Sequence, residues 1–310
     1  MKRAIIRWAF VAVALILLVV AVVASWDSFI DALQDLDLGI VALAALCCIV
    51  GLFANGLSWR AIMRSVGLEV PLRDSTRVFM ISQVGKYVPG AVWPVLAQAE
   101  FARDHGISRP RSLTASIVAM LVGVVMSGVV GVLGLVLSDP TALLRNWWAI
   151  VVALLLLACL VPAVLRRIVR LAFRVTRRDE EPVDIVPRAL VASAAWSLVM
   201  WLLLGLQAWL LLVQLAPGVG YPLAAGAFAF AWLVGFLVII APGGLGAREA
   251  ALVLALSSLV GASAALSLAL VSRILMTLAD AAGLALGLSL TTRKRAGVPS
   301  DRGDEPLPSR

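Results

Sequence analysis

Long apolar stretches recur along the chain, separated by short segments that carry most of its charge. A helix needs about 20 apolar residues to cross roughly 30 Å of hydrocarbon. Six stretches come near that length, and we predict a full transmembrane helix in each: residues 4–25, 38–58, 113–137, 147–165, 189–215 and 262–290. The pattern predicts an all-α polytopic membrane protein.

Two further apolar regions are interrupted near their middle by a Pro-Gly pair. Residues 74–104 break at Pro89 and Gly90, and residues 221–260 break at Pro242. Proline removes a backbone donor and glycine relaxes the backbone, so each region is expected to stop, turn and restart as a second helix. We predict two broken helical hairpins that re-enter the membrane, with these residues at their tips, because such backbone is tolerated where it lines a cavity. The second hairpin is long enough that crossing twice is the alternative.

The order span, span, hairpin, span occurs twice along the chain. Three full spans separate corresponding elements, so the second copy is expected to be upside down, which is an inverted-topology repeat. We divide the chain into a first membrane half, a basic cytoplasmic linker, a second membrane half and a disordered cytoplasmic tail, at residues 1–165, 166–188, 189–290 and 291–310.

Composition supports the membrane assignment. At 62% hydrophobic and 14% charged residues, the chain has too few polar side chains to cover a water-soluble globule. The net charge of +8 could indicate a nucleic-acid partner, but the basic residues lie beside the spans and no nucleic-acid motif accompanies them. They fall on one side if the spans alternate, so the positive-inside rule predicts a plasma-membrane protein with both termini cytoplasmic. The seven arginines of residues 166–188 either set this topology or contact anionic headgroups.

No cofactor or metal is expected. Cys47, Cys48 and Cys159 lie inside apolar spans, where cysteine behaves as a small hydrophobe. The single histidine, His105, lies in a loop, and no Walker A pattern is present.

Two charges lie inside the last predicted span. Arg273 is about twelve residues from its start, and Asp280 follows seven residues later on the same helical face. Charges at that depth cost several kcal/mol unless they are paired or hydrated. Two interpretations stay open, namely a structural ion pair between helices and an anion site in a polar cavity.

Further charges adjoin the two breaks. Arg248 and Glu249 open the helix after the second break, where free amide groups and the helix dipole favour an anion. Lys86 and Tyr87 hold the corresponding place in the first hairpin. We predict that a lipid phosphate is bound by Arg248, Arg273, Lys86, Gly243, Gly244 and Gly246, with Glu249, Asp280, Tyr87 and Asn55 as cavity or pairing residues. The alternative is an ordinary helix break with Arg248 and Glu249 paired to Asp280 or Arg273.

Other polar and aromatic residues have weaker interpretations. Gln83, Trp93 and Gln98 either line a cavity or pack against neighbours. Trp59 is interpreted as an interfacial anchor, and the remaining span tryptophans mostly as aromatic belts: Trp147, Trp148, Trp196, Trp201, Trp209 and Trp232.

With the motifs KYVPGAVW at residues 86–93 and PGGLGAREA at residues 242–250, the chain resembles the lysylphosphatidylglycerol synthase transmembrane, or flippase-like, family. That resemblance implies a multi-spanning lipid translocase domain, found alone or fused to a cytosolic aminoacyl-lipid synthase, with relatives linked to archaeal polyprenyl-phosphosugar glycosylation. The sequence ends at Arg310, so we expect neither the synthase domain nor lipid aminoacylation. Many members hold an arginine in the third span, where residues 116–123 read SIVAMLVG here, so the second half is expected to supply most cavity charge.

The leading hypothesis is a non-enzymatic translocator for an anionic lipid, such as a phospholipid or a polyprenyl-phosphate-linked sugar. One alternative is an intramembrane lipid-linked sugar or phosphate transferase. Another is a non-catalytic accessory subunit that scaffolds a synthase or glycosyltransferase partner.

Overall fold

The computed structural model describes residues 34, 36–88, 93–138, 147–175, 185–237 and 246–290 of the 310-residue chain. In these ranges the protein is helical, with ten α-helices, one short 3-10 helix and no strand. The α-helices are α1 Leu38–Ser65, α2 Leu72–Gln83, α3 Trp93–Arg103, α4 Arg109–Leu137, α5 Trp147–Ala158, α6 Pro162–Val175, α7 Pro187–Leu215, α8 Tyr221–Leu237, α9 Ala247–Val260 and α10 Ala262–Ser289. The 3-10 helix, Val84–Tyr87, continues directly from α2.

Four of the described helices, α1, α4, α7 and α10, are long and apolar enough to cross a membrane. Each has 28 or 29 residues, which corresponds to about 42 Å. Their starts follow from local sequence: the Asp37 carboxylate accepts a hydrogen bond from the Ile40 amide at 3.1 Å, and α4 and α7 carry proline in the first turn. The predicted span at residues 4–25 and the tail at residues 291–310 lie outside the described residues.

The prediction of one continuous helix over residues 147–165 was wrong. The segment forms α5, which ends at Ala158, and α6, which begins at Pro162. Proline cannot donate a backbone hydrogen bond and its ring clashes with the carbonyl four residues earlier, so it ends one helix and begins another. The sequence interpretation gave too little weight to this proline.

Each interrupted region forms two short helices that pack against each other. In the first hairpin, residues 72–103, α2 and α3 have 12 and 11 residues; in the second, residues 221–260, α8 and α9 have 17 and 14. An α-helix of 12 residues spans about 18 Å, too short for the hydrocarbon core. The proposed tip residues Pro89, Gly90 and Pro242 lie outside the described residues.

The helices α1 and α7 run antiparallel and pack against each other more extensively than any other pair of described helices. Near one end the Ser58 hydroxyl lies 2.8 Å from the Ser193 hydroxyl and 2.9 Å from that of Ser197. Near the other end the Asp37 amide donates to the Gln214 side chain at 2.8 Å. These polar contacts fix the register of two otherwise apolar helices.

Each long helix that follows a hairpin packs against the first arm of the other hairpin. Gly134 of α4 meets Gly226 of α8 so closely that a Cβ on Gly134 would lie 2.6 Å from the Gly226 Cα. Gly283 of α10 faces α2, where a Cβ would lie 3.0 Å from the Met80 sulfur. Small residues at helix contacts are typical of membrane bundles because they let backbones approach.

The two ends of the bundle differ in charge. Exposed arginines gather at the end where α1 ends and α7 begins, which we call the basic end: Arg64, Arg73, Arg103, Arg109, Arg111 and Arg188. The opposite end carries Asp37 at the start of α1.

Candidate functional site: a charged cavity between the hairpins

A cavity of about 270 Å³ lies between the two hairpins and the long helices. Its charged lining residues are Lys86 from the first hairpin, Arg248 from the second, and Arg273 and Asp280 from α10. Tyr87 and Asn55 also line it. Six of the residues proposed from the sequence therefore share one cavity, although they are spread over most of the chain.

Asp280 joins α10 to the first hairpin. Its side chain is 4% exposed, and its two carboxylate oxygens lie 2.8 and 2.6 Å from the Lys86 ammonium. The Tyr87 hydroxyl donates to the same carboxylate at 2.6 Å. The 3-10 turn presents both Lys86 and Tyr87 to α10, so one buried carboxylate is held by two consecutive residues.

Glu249 joins α10 to the second hairpin. One of its carboxylate oxygens lies 2.7 Å from the Arg273 guanidinium, and the other accepts from the Gly246 amide at 2.7 Å. Gly246 has φ of +80°, a conformation that glycine adopts without strain, and it directly precedes α9. Glu249 therefore caps the start of α9 and also pairs with a cation on the neighbouring helix.

Arg248 lies in a different environment. Its guanidinium carbon is 4.7 Å from the centre of the Phe228 ring, and one of its terminal nitrogens is 2.9 Å from the Met276 sulfur. It packs closely on α8, since a Cβ on Gly235 would lie 2.8 Å from the Arg248 Cβ. Among the described residues no carboxylate forms an ion pair with Arg248.

Both charges of α10 form ion pairs with other elements, as the interpretation of a structural ion pair between helices predicted. Arg273 and Asp280 share a helical face but pair with different hairpins, not with each other. Glu249 does pair with Arg273, as the alternative interpretation of an ordinary helix break predicted, whereas Arg248 does not pair with Asp280. Gly243 and Gly244 lie outside the described residues.

Several aromatic side chains line the charged cavity although the sequence did not lead us to predict it. Trp59 and Trp201 are 3% and 1% exposed and line the cavity, together with Trp232 and Phe236. Their assignment to interfacial belts was wrong, because both indoles find partners inside: Trp59 donates to the Ser116 hydroxyl at 3.2 Å and Trp201 to the Gly123 carbonyl at 3.0 Å. The signal was available for Trp201, which lies mid-span and not at a helix end.

The rest of the polar lining comes from uncharged side chains. Gln83, Gln98 and Ser116 face the cavity, and Gln98 donates to the Ser82 hydroxyl at 3.0 Å. Over the part of the chain that the structure describes, no group of three or more His, Cys, Asp or Glu side chains is arranged to hold a metal ion.

These features define an integral multi-pass membrane protein whose charged cavity is enclosed by broken helices. Residues 9–283 match the family described as the lysylphosphatidylglycerol synthase TM region, and the chain belongs to that family. No curated protein and no solved structure matches the chain significantly. Family membership indicates a lipid-related function in the membrane.

Proposed function

We propose that this protein translocates an anionic lipid across the plasma membrane without changing it covalently. The phosphate would pass through the charged cavity while the hydrocarbon tails stay in the bilayer. The lipid would be a phospholipid or a polyprenyl-phosphate-linked sugar. The groups that would bind phosphate are Arg248, Arg273, Lys86 and Gly246, with Gly243 and Gly244 of the same glycine-rich segment. Glu249 and Asp280 would compete for these cations and so promote release.

The main support for this proposal is that Arg248 lines the cavity but forms no ion pair among the described residues. Arg248 is partly buried, and a guanidinium that loses part of its contact with water is costly unless a carboxylate or another anion compensates it. Arg248 contacts an aromatic ring and a thioether, neither of which neutralises its charge. A cavity that keeps such a cation is suited to an anionic ligand.

The charges around the cavity favour the same conclusion. Lys86, Arg248 and Arg273 supply three positive charges, while Asp280 and Glu249 supply two negative ones. One phosphodiester carries one negative charge and would balance the cluster. The start of α9 adds backbone N–H groups beside Arg248, at the positive end of the helix dipole.

The size of the cavity indicates which part of a lipid enters it. Pockets that enclose small molecules have volumes of about 300–1,000 Å³, and this one measures about 270 Å³. That space suits a headgroup but not two acyl chains. A headgroup inside and tails outside is the arrangement that lipid translocation requires.

The packing of the helices supports an inverted-topology repeat. If α1 and α7 are equivalent elements of the two halves, a two-fold axis in the membrane plane relates them and makes them antiparallel. The serine contacts agree with this, because they join the late part of α1 to the early part of α7. The same axis exchanges the contact of α4 with α8 for the contact of α10 with α2, and both contacts occur. Two opposed hairpins around one central site are the arrangement from which alternating access proceeds.

The charge difference between the bundle ends supports a cytoplasmic position for the basic end. The lining residues of α4, Ser116 to Gly123, lie in the half of that helix nearer its start at Arg109. The cavity is thus displaced towards the basic end. We infer that a headgroup reaches it from the cytoplasmic leaflet in this conformation.

The proposal is tested by lipid movement in proteoliposomes containing the purified full chain. Fluorescent phosphatidylglycerol on the inner leaflet becomes accessible to an external reducing quencher only after it crosses. Arg248→Gln and Arg273→Gln are each expected to slow crossing about tenfold or more, since tenfold corresponds to about 1.4 kcal/mol, less than one charge-assisted hydrogen bond.

The matched control is Arg64→Gln, which removes the same charge from an exposed position at the basic end. It is expected to leave the crossing rate unchanged. If both cavity variants fold and still move phosphatidylglycerol at the parental rate, these arginines do not bind the lipid phosphate.

The absence of covalent chemistry is a separate part of the proposal. Purified protein incubated with labelled lipid and an activated sugar or phosphate donor is expected to return the lipid unmodified. A new labelled lipid product would favour a transferase over a translocator.

A further inference from the structure

We propose that α6 is an interfacial helix that binds the headgroups of anionic phospholipids at the basic end of the bundle. This surface is separate from the charged cavity, and the inference does not depend on lipid translocation. It rests on the break before α6, the arrangement of its arginines and its lack of extended packing.

The break separates two helices of opposite character. The sequence of α5, WWAIVVALLLLA, is entirely apolar, whereas α6, PAVLRRIVRLAFRV, carries four arginines and no acidic residue. The break at residues 159–161 lets α6 take a different direction from the apolar α5. The arginines of α6 begin after its first four residues.

The arginines of α6 share one face. At about 100° per residue, positions 166, 167, 170 and 174 fall within an arc of roughly 100°. Positions 164, 165, 168 and 171 are apolar and lie on the opposite arc. A basic face opposite an apolar face on a short helix is the pattern of helices that lie in a membrane interface.

Most of the α6 side chains that the structure describes are exposed. Leu165 is 4% exposed and belongs to the core, which attaches α6 to the bundle. Val164 is 37% exposed, and Arg167 and Arg170 are also exposed. Among the described helices none packs along α6. Leu165 joins the apolar face to the bundle, the bilayer would cover the rest of that face around Val164, and the basic face would contact lipid phosphates.

Charge complementarity identifies the lipid. An arginine near an anionic leaflet gains roughly 1 kcal/mol, while a zwitterionic leaflet attracts it little. Several such residues on one arc, with no carboxylate between them, favour phosphatidylglycerol or a lipid of similar charge over phosphatidylcholine.

Backbone hydrogen exchange in nanodiscs tests this inference with the full chain. In mixed phosphatidylcholine and phosphatidylglycerol, the α6 amides are expected to exchange about tenfold more slowly than in phosphatidylcholine alone, and high salt is expected to remove the difference. Arg167→Gln with Arg170→Gln should abolish the lipid dependence. Arg64→Gln with Arg73→Gln, the same charge change on α1 and α2, should leave it intact.

A second measurement locates the apolar face. A fluorophore on Val164→Cys, in a chain whose Cys47, Cys48 and Cys159 are replaced by alanine, is expected to be quenched by lipids that carry a spin label high on the acyl chain. The inference would be contradicted if the α6 exchange rates were the same in both lipid mixtures. It would also be contradicted if the two double arginine variants lost the lipid dependence equally. An unquenched fluorophore would also contradict it and would favour an acidic protein partner for α6.

Discussion

The two hairpins are both tied to α10, but with opposite polarity. The first hairpin contributes the cation, Lys86, to a carboxylate on α10, whereas the second contributes the carboxylate, Glu249, to a cation on α10. Because Arg273 and Asp280 are seven residues apart on one face, a single helix holds both hairpins beside the cavity. The second hairpin then carries one more cation, Arg248, without a carboxylate partner in the described residues.

The charged residues of the cavity therefore have two different roles: some hold the hairpins in place, and one is proposed to bind phosphate. The ion pairs attach the two hairpins to a long helix, and their loss should reduce stability. Arg248 forms no ion pair among the described residues, so its loss should leave the fold intact while removing the proposed phosphate site. The following predictions test this distinction, from the largest expected change in stability to the smallest.

Asp280→Asn should be the most destabilising change. It leaves Lys86 without its partner, and breaking a buried pair costs about 3–5 kcal/mol, of which the lower end, about 3 kcal/mol, is expected because 32% of the Lys86 side chain is exposed. Thermal unfolding in detergent measures the loss. The double variant Lys86→Met with Asp280→Asn should recover most of it, and failure to recover would show that the pair does not hold the first hairpin.

Gly226→Ala should come next, because the contact of α4 with α8 is backbone against backbone. The added Cβ would lie 2.6 Å from the Leu135 nitrogen, so the helices must separate at a cost of about 1–3 kcal/mol. Gly283→Ala on α10 should cost less, since the obstructing atoms are the flexible ends of Leu52 and Met80.

Gly123→Ala is the control for both glycine variants, because nothing lies within 4 Å of its added Cβ. It is expected to leave stability unchanged or to raise it slightly, as alanine favours a helix over glycine. Equal losses at Gly226 and Gly283 would contradict the difference between the two contacts.

Glu249→Gln should have a moderate effect. Glutamine can still accept from the Gly246 amide, so the start of α9 stays capped, but the ion pair with Arg273 is lost. About 1 kcal/mol is expected, less than for Asp280, because Glu249 is 19% exposed and Asp280 is 4% exposed. Thermal unfolding of this variant and of Asp280→Asn under the same conditions compares the stability that each ion pair contributes.

Arg248→Met should be neutral or stabilising by up to about 1 kcal/mol. Phe228, Gly235 and Met276 already surround the side chain, and an apolar residue of similar length removes an uncompensated charge from them. Thermal unfolding and lipid crossing are measured together, with crossing expected to fall. A large drop in stability would mean that Arg248 holds the second hairpin in place.

Much of the architecture could be predicted from the sequence. Hydropathy located the four long helices, and each Pro-Gly break lies between two short helices, as predicted. The error at residues 147–165 arose because hydropathy counts apolar residues without regard to Pro162. Side-chain partners were not predictable in the same way: Glu249 was assigned to the site, yet its two simultaneous contacts depend on where α10 lies.

The sequence alone determined that the chain is a multi-helix membrane protein of this family, because hydropathy, helix-breaking residues and local motifs are properties of short segments. It also supplied the candidate charges, since an arginine in an apolar span is costly wherever it packs. Only the tertiary structure decided which charges meet, that Arg248 stays unpaired among the described residues, and that Trp59 and Trp201 face inward. Those outcomes depend on the rotation and register of helices far apart in the chain, which packing sets and local sequence does not.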